Sequence, residues 1–538
     1  MGAALWLSGN GQGTNILIGG NTYQTLSSNN WGQSTNPFED RAQLLIRDPG
    51  TLSNFGMQVY QNSMTVATAT ARIRINSANG NSVFTIPAGA TGYFSDITNT
   101  DHVAAGDLLN TIVTVAFEFN NIVTSGLSAI FTADNAADTI SRACSLYSFN
   151  NVTTGSARYT SLWGQISPRV SIDGSQDCIH TSLTARNAAV KARSNTSDAN
   201  FFVTFQKNGI DTSIVVTIPA GTSGWFEDIV NTEALVNNDL VNWVTESPAY
   251  TSGTATLNAY AIDLVSITNQ WTGGCGQIGR TVGENQTNYI LPGGSNWPAV
   301  TEAEVETEVP LNGQAISLCI YVSTNNIDNP STLSWRTNGI TGNNIVTIPA
   351  NSTGFFDSTT TDTFVIGDLI NLELITGTDP AAGILIYSNI DWIGAISVLT
   401  TGTIIVNKIT IPSTDTQSFA FTAGGGLAPG SFNLVNGGQQ IFSGITPGSG
   451  YSIIETPNTL YLTEYDVSDG SPNTNIDVAE NETVVVTVTN TRLSSQYSGI
   501  YRIVPAKRQD TLWVSPEERT TVDVKIPDPY VRLPLIGE

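Results

Sequence analysis

Few residues in this chain could do chemistry on their own. There are two histidines, His102 and His180, and four cysteines, Cys144, Cys178, Cys275 and Cys319. The cysteines nearest in sequence, Cys144 and Cys178, stand 34 positions apart, and no C-x-x-C pair occurs. Metal centres legible in sequence need closely spaced ligands, so no metal site is predicted. A Cys144–Cys178 disulfide is compatible with the spacing, but buried free thiols are the preferred reading. No G-x-S-x-G, phosphate-binding glycine loop or H-E-x-x-H pattern is present. A glycosidase needs only two carboxylates, and any Asp or Glu could supply them. His102 lies in a loop whose later counterparts carry no histidine, and it reads as a surface residue. The expectation is therefore a non-enzyme without a cofactor.

The acidic residues that do recur belong to a repeat. Val83-Phe-Thr-Ile-Pro-Ala-Gly-Ala-Thr-Gly-Tyr-Phe-Ser-Asp96 is followed by Gly106-Asp107-Leu108-Leu109-Asn110. A second copy runs Val215-Val-Thr-Ile-Pro-Ala-Gly-Thr-Ser-Gly-Trp-Phe-Glu-Asp228, then Asn238-Asp239-Leu240-Val241-Asn242. A third runs Ile345-Val-Thr-Ile-Pro-Ala-Asn-Ser-Thr-Gly-Phe-Phe-Asp357, then Gly367-Asp368-Leu369-Ile370-Asn371. Pro87, Pro219 and Pro349 are separated by 132 and 130 residues. Three copies at one period mark tandem modules. Asp107, Asp239 and Asp368 sit at matched turns, where an Asp side chain caps the backbone. A competing use is Ca²⁺ binding through the pairs Asp101/Asp107 and Asp362/Asp368, with Glu233 and Asp239 in the second copy. Turn capping is the reading preferred.

The elements that carry these residues are strands. V-x-T-I-P alternates and ends at a proline, which has no ladder donor. The glycine-rich A-G-x-T-G is a turn, and the aromatic pair after it (Tyr93-Phe94, Trp225-Phe226, Phe355-Phe356) re-enters a strand with one ring inward. Upstream, Asn208-Gly209 and Asn338-Gly339 between alternating runs predict hairpins. No convincing amphipathic helix accompanies them. The fold class expected is all-β: tandem β-sandwich or jelly-roll-like modules, then an Ig- or prealbumin-like β-sandwich and an extended tail. Predicted domains are 1–135, 136–268 and 269–401 for the repeats, 402–491 for the fourth module and 492–538 for the tail. The period is too long for a propeller blade or a solenoid coil, so the repeats are expected as separate globules.

Composition agrees with short strands and many turns. The chain has 538 residues, 49 Gly and 22 Pro, and only 12% charged residues against about 25% in ordinary domains. The net charge of −24 speaks against nucleic-acid binding, which needs clustered Lys and Arg. Residues 1–491 hold 14 Lys and Arg against 39 Asp and Glu, whereas residues 492–538 hold 7 against 6. The tail is thus basic relative to the body and suited to dock on an acidic surface. No run approaches the ~20 apolar residues of a membrane-spanning helix, so no membrane partner is expected. The first residues, MGAALWLSGNGQGTN, lack the basic and apolar regions of a secretory leader. Synthesis in the cytoplasm is the expectation, with release by lysis or in a particle.

In the fourth module, Phe442-Ser-Gly-Ile-Thr-Pro-Gly-Ser-Gly-Tyr-Ser-Ile-Ile-Glu455 precedes a last strand ending Val-Thr-Val-Thr-Asn490, and Lys408 lies in a first strand, Ile-Val-Asn-Lys-Ile. This arrangement resembles Cna-B/SpaA-type prealbumin-like domains over about 90 residues. In that family a first-strand lysine can attack a last-strand asparagine to form an intramolecular isopeptide bond. The resemblance implies Lys408 as nucleophile, Asn490 as electrophile and Glu455 as proton shuttle. Lys408 is also one of only five lysines in the chain.

The tail contains Asp510-Thr-Leu-Trp513-Val and Val522-Asp-Val524-Lys-Ile526-Pro-Asp-Pro-Tyr530-Val-Arg-Leu-Pro-Leu535-Ile-Gly-Glu538. Its prolines forbid a helix, and its alternation suits a strand added to another sheet. Trp513, Val524, Ile526, Tyr530 and Leu535 are the expected anchor. The segment is similar to the C-terminal tails of bacteriophage structural proteins. That resemblance implies a virion surface protein: a head fibre, capsid decoration or tail appendage, made in the host cytoplasm. Its expected partners are other capsid or tail proteins, further copies of itself as a trimer, and a host surface glycan. A bacterial cell-surface adhesin or S-layer-like protein is the alternative, and a polysaccharide depolymerase the second alternative.

Overall fold

The computed structural model describes residues 2–16, 21–26, 38–115, 121–146, 151–152, 157–163, 169–293, 298–396, 402–479 and 482–493. The chain is all-β: among the described residues the helical pieces are two 3₁₀ turns, Glu39–Arg41 and Glu302–Glu304. It divides into two compact units, Met1–Val398 and Leu399–Glu538. The expected anchor residues Trp513, Val524, Ile526, Tyr530 and Leu535 lie outside the described residues.

In the first unit each repeat is two antiparallel sheets. In the first module one sheet has the order Ala3–Ile16, Ile122–Ala133, Gly50–Asn62, Gly92–Asp96. The facing sheet has the order Asn21–Gln24, Leu108–Val115, Ala69–Ile75, Ala78–Ile86. With strands numbered along the chain in order of these eight, the sheets read 1-8-3-6 and 2-7-4-5, the order of a jelly roll. The second and third modules repeat it. Their first sheets join Thr139–Leu146 to Ala255–Ser266, Leu183–Asn195 and Gly224–Asp228, and Gln270–Gly283 to Ile384–Ile396, Gly313–Asn325 and Gly354–Ser358.

Local chemistry explains the strands and turns. Ile340–Ile348 buries Ile345's neighbours Asn344, Val346 and Ile348 while Ile345 and Thr347 face out, the period of two that a one-sided strand requires. The hairpin residues Asn208 and Gly209 have φ of 53° and 74°, the left-handed values that an Asn-Gly turn supplies without strain. At the A-G-x-T-G turn Gly89 and Gly221 are left-handed, and the third module places Asn351 there at φ 55°, the residue that tolerates this region next best.

The repeats were expected as separate globules, and here the structure differs. The opening strands Ala3–Ile16, Thr139–Leu146 and Gln270–Gly283 all contact one another. A short strand of each module then packs on the closing strand of the next: Leu44–Leu45 on Ala255–Ser266, Asp177–Cys178 on Ile384–Ile396, and Thr307–Glu308 on Ile122–Ala133. First meets second, second meets third, and third meets first, so a head-to-tail contact closes into a three-membered ring within one chain. Burial shows why. Thr139–Leu146 and Ala255–Ser266 are buried at every position, because the sandwich core covers one face and a neighbouring module the other. Alternating patterns do not reveal such strands, and small residues such as Ala259 and Ala261 allow the close approach. One apolar cluster accordingly includes Trp6, Cys144, Ala261, Trp271 and Trp392 from all three modules.

The second unit contains a sandwich over Gly402–Arg492. One sheet has the order Gln439–Ile445, Gly402–Ile411, Thr483–Arg492, Tyr461–Val467, and the other Ser431–Leu434, Phe419–Gly424, Gly448–Glu455, Ile476–Val478. Its first and last strands run parallel, with Lys408 beside Val488 and Thr410 beside Asn490. Both strands alternate, so Ile404, Val406, Lys408, Val484, Val486, Val488 and Asn490 all face inward.

Candidate functional site

A lysine, a glutamate and an asparagine stand together within the largely apolar interior of the second unit's sandwich. Lys408, Glu455 and Asn490 are 1%, 4% and 0% exposed. Lys408 comes from the first strand, Asn490 from the last, and Glu455 from the end of Gly448–Glu455 in the facing sheet. Strand alternation aims all three at one point. The Lys408 ammonium lies 3.0 Å from Oε2 of Glu455, and Asn490 Nδ2 donates to Oε1 of the same carboxylate at 2.6 Å. Lys408 also donates to the Val488 carbonyl at 3.3 Å and sits over the Phe419 ring, 4.4 Å from its centroid. The Glu455 backbone N–H donates to the Tyr465 hydroxyl at 2.7 Å, which holds the end of its strand in place. The Asn490 carbonyl oxygen is buried without a hydrogen-bond partner.

The electrostatics follow from this geometry. Burial pulls the Lys408 amine below its usual range, against the opposing pull of Glu455. A desolvated amine is more readily deprotonated and then nucleophilic. A carboxylate that touches both the amine and the carboxamide nitrogen is placed to carry a proton from one to the other. The arrangement can therefore support acyl transfer from Asn490 to Lys408, and as an unreacted set it is a buried ion pair whose carboxylate also accepts from the amide.

The repeat carboxylates have another use. Asp107 accepts from Asn76 Nδ2 and the Ala104 N–H, both at 2.7 Å. Asp239 accepts from Asn208 Nδ2 and Val236 N–H, and Asp368 from Asn338 Nδ2 and Val365 N–H. Asp101 takes the N–H groups of Asn81 and Ser82, and Asp362 those of Asn343 and Asn344. Each carboxylate has both oxygens facing N–H donors, the opposite of a cation's surroundings. Glu233 pairs with Lys207. His102 is exposed and lies 3.0 Å from Asp134.

All four cysteines are free thiols and buried, so the compatible Cys144–Cys178 disulfide does not form. One group escaped the sequence reading. Cys178, His180 and Cys319 bring their ligand-type atoms within 4.8 Å of one another. Cys178-x-His180 was a visible local signal, but Cys319 is 141 positions beyond Cys178, and only the ring of modules unites them.

No protein-family model and no curated protein matches the chain. Among solved structures it is similar to two B repeat units (B1B2) of the collagen binding protein (Cna) of Staphylococcus aureus. The identity is 10%, over 82% of this chain and 100% of that one, with a TM-score of 0.13. At that score the likeness carries no argument. The β-sandwich of residues 402–492 stands on its own strand pairing.

Proposed function

We propose that this chain is a non-enzymatic structural protein displayed on a bacteriophage virion, comprising a ring of three jelly rolls and a self-crosslinked module. The observation that carries the structural part is the sealed Lys408–Glu455–Asn490 set between the first and last strands of that module. Lys408 Nζ attacks Cγ of Asn490, a C–N bond forms, and Nδ2 departs as ammonia. Glu455 takes the proton from the amine and delivers it to the leaving nitrogen. The product ties together the two strands at which the chain enters and leaves the module, so a pulling force meets a covalent bond before the sheet. A spacer on a particle surface benefits from this.

The virion placement is supported by the tail pattern Val522-Asp-Val-Lys-Ile-Pro-Asp-Pro-Tyr530 and by its relatively basic charge, which suit docking on capsid or tail proteins. Host glycan binding by the non-repeating loops and assembly of further copies belong to the same reading.

Intact-mass measurement of the full chain tests the crosslink: it should lie about 17 Da below the sequence mass, one ammonia. Lys408→Ala should abolish the deficit once the substitution is allowed for, and an unmodified wild-type mass overturns the crosslink. Electron microscopy of purified particles with and without residues 492–538 tests the placement. Retention after truncation sinks the anchor.

A further inference from the structure

The three junctions of the ring are built from equivalent positions but different chemistry. Leu45, Cys178 and Glu308 occupy the same place, each paired with the leucine of the repeated Asp-Leu turn: Leu108, Leu240 and Leu369. Two residues on stand Arg47, His180 and Pro310. On the receiving module the position opposite the aromatic-strand residue (Glu227, Asp357 or Ser95) is Ala189, Cys319 or Gly56. At the first-to-second junction Arg47 pairs with Glu227. At the third-to-first junction the set is Glu308, Pro310 and Gly56. Only at the second-to-third junction do all three places hold Cys or His.

There, Cys178 and Cys319 are 6% and 1% exposed, and His180 is half-buried. The ligand-type atoms lie within 4.8 Å of one another, and Nε2 of His180 is buried without a hydrogen-bond partner. Asp391, beside Cys319 in the sheet, accepts from the Cys178 backbone N–H at 2.8 Å. Its other oxygen is buried and unpartnered. The register also puts Asp357 on the other side of Cys319. Two sulfurs, one imidazole and flanking carboxylates make a soft, electronegative site.

We propose that Cys178, His180 and Cys319 bind one Zn²⁺ ion that staples the second module to the third. Metal–sulfur bonds of ~2.3 Å and metal–nitrogen bonds of ~2.0 Å place tetrahedral ligands roughly 3.5–3.8 Å apart, so the cluster closes by about an ångström. The two thiols release their protons to solvent on binding, and the fourth position is open to water. Asp391 holds the Cys178 backbone from behind and offsets the cation's charge, as outer-shell carboxylates do. The ion adds metal–ligand bonds to a junction already held by packing and by hydrogen bonds such as those from the Cys178 N–H to Asp391 and from Asn389 Nδ2 to the Gln176 carbonyl, so it strengthens one junction of the ring.

The test uses the full chain, reduced with a phosphine, stripped with a chelator and titrated with Co²⁺ as the probe. One Co²⁺ per chain should bind with a thiolate-to-cobalt band in the near ultraviolet, and Zn²⁺ should displace it. His180→Ala should weaken binding tenfold or more. Cys319→Ser should remove most of the band, whereas Cys144→Ser, at a buried thiol outside the cluster, should leave it intact. Absence of the band in the wild-type protein overturns the proposal, as does its persistence in a Cys178→Ser/Cys319→Ser double variant. A Cys178–Cys319 disulfide in the protein as isolated also overturns it. All three readouts are independent of the Lys408 crosslink and of any virion.

Discussion

Arg142 and Asp263 pair at 2.9 Å with their side chains 1% and 2% exposed, and the same guanidinium donates to the Leu45 carbonyl of the first module at 2.7 Å. A charge sealed between modules survives only because its partner is fixed beside it. Burial raises the Asp263 carboxyl to about 6 against the pull of Arg142. Arg142→Ala leaves that carboxylate with only its Asn187 contact and strips Leu45 of its donor. Loss of one partner of a buried pair costs about 3–5 kcal/mol. Denaturant unfolding should show that loss, and a change under about 1 kcal/mol would contradict the junction described.

Within the second unit, Glu455→Gln removes the carboxylate that faces the Lys408 ammonium. Two readouts should change together. The mass deficit expected of the crosslink should vanish, and the unfolding midpoint should fall, because the buried amine loses its counter-charge. A variant that keeps the deficit excludes Glu455 as proton carrier.

Asp96 sets an acid limit on the first module. Burial opposes its ionisation, but hydrogen bonds from the Asn99, Val83 and Thr98 backbones and the Asn99 side chain outweigh it and hold the carboxyl at about 2. Its folded value lies below its unfolded value of 3.8. Its contribution is therefore present above pH 4 and lost as pH falls from about 4 towards 2. Asp96→Asn should lower stability at pH 7 by about 1–2 kcal/mol and flatten the acid limb of the denaturation curve. Asp228 in the second module is lowered for similar reasons, whereas the third has Ser358 at that place.

Ring closure predicts that the modules are not independent. A fragment of residues 1–268 lacks Thr307–Glu308, which packs on the closing strand Ile122–Ala133 of the first module, and so uncovers a strand buried at ten of its twelve positions. It should aggregate or bind a hydrophobic dye, whereas residues 1–398 should remain compact and unfold in one transition. A well-behaved 1–268 fragment would count against the ring as a folding unit.

How much was legible follows from where side chains point. Strands with one wet face, such as Ile340–Ile348 and Thr483–Arg492, alternate and announce themselves, as do the Asn-Gly turns. The triad of Lys408, Glu455 and Asn490 was reachable through a resemblance, because its members sit at fixed places in a compact domain. The ring was not legible. Its surfaces are strands buried on both faces, whose runs of small and apolar residues look the same whether they meet a core or a neighbour. The Cys178–His180–Cys319 cluster was hidden for the same reason, since its third member arrives across a module junction.

The closed ring has a consequence for valency. In a trimer of identical chains every substitution appears three times and every binding loop is triplicated. Here three modules share the architecture, but each mutates alone, so one face can present three different loops in a fixed spatial relation. The divergence of Arg47, His180 and Pro310 at equivalent junction positions shows such freedom already in use. A threefold scaffold has become a single heritable unit with three separately tunable positions.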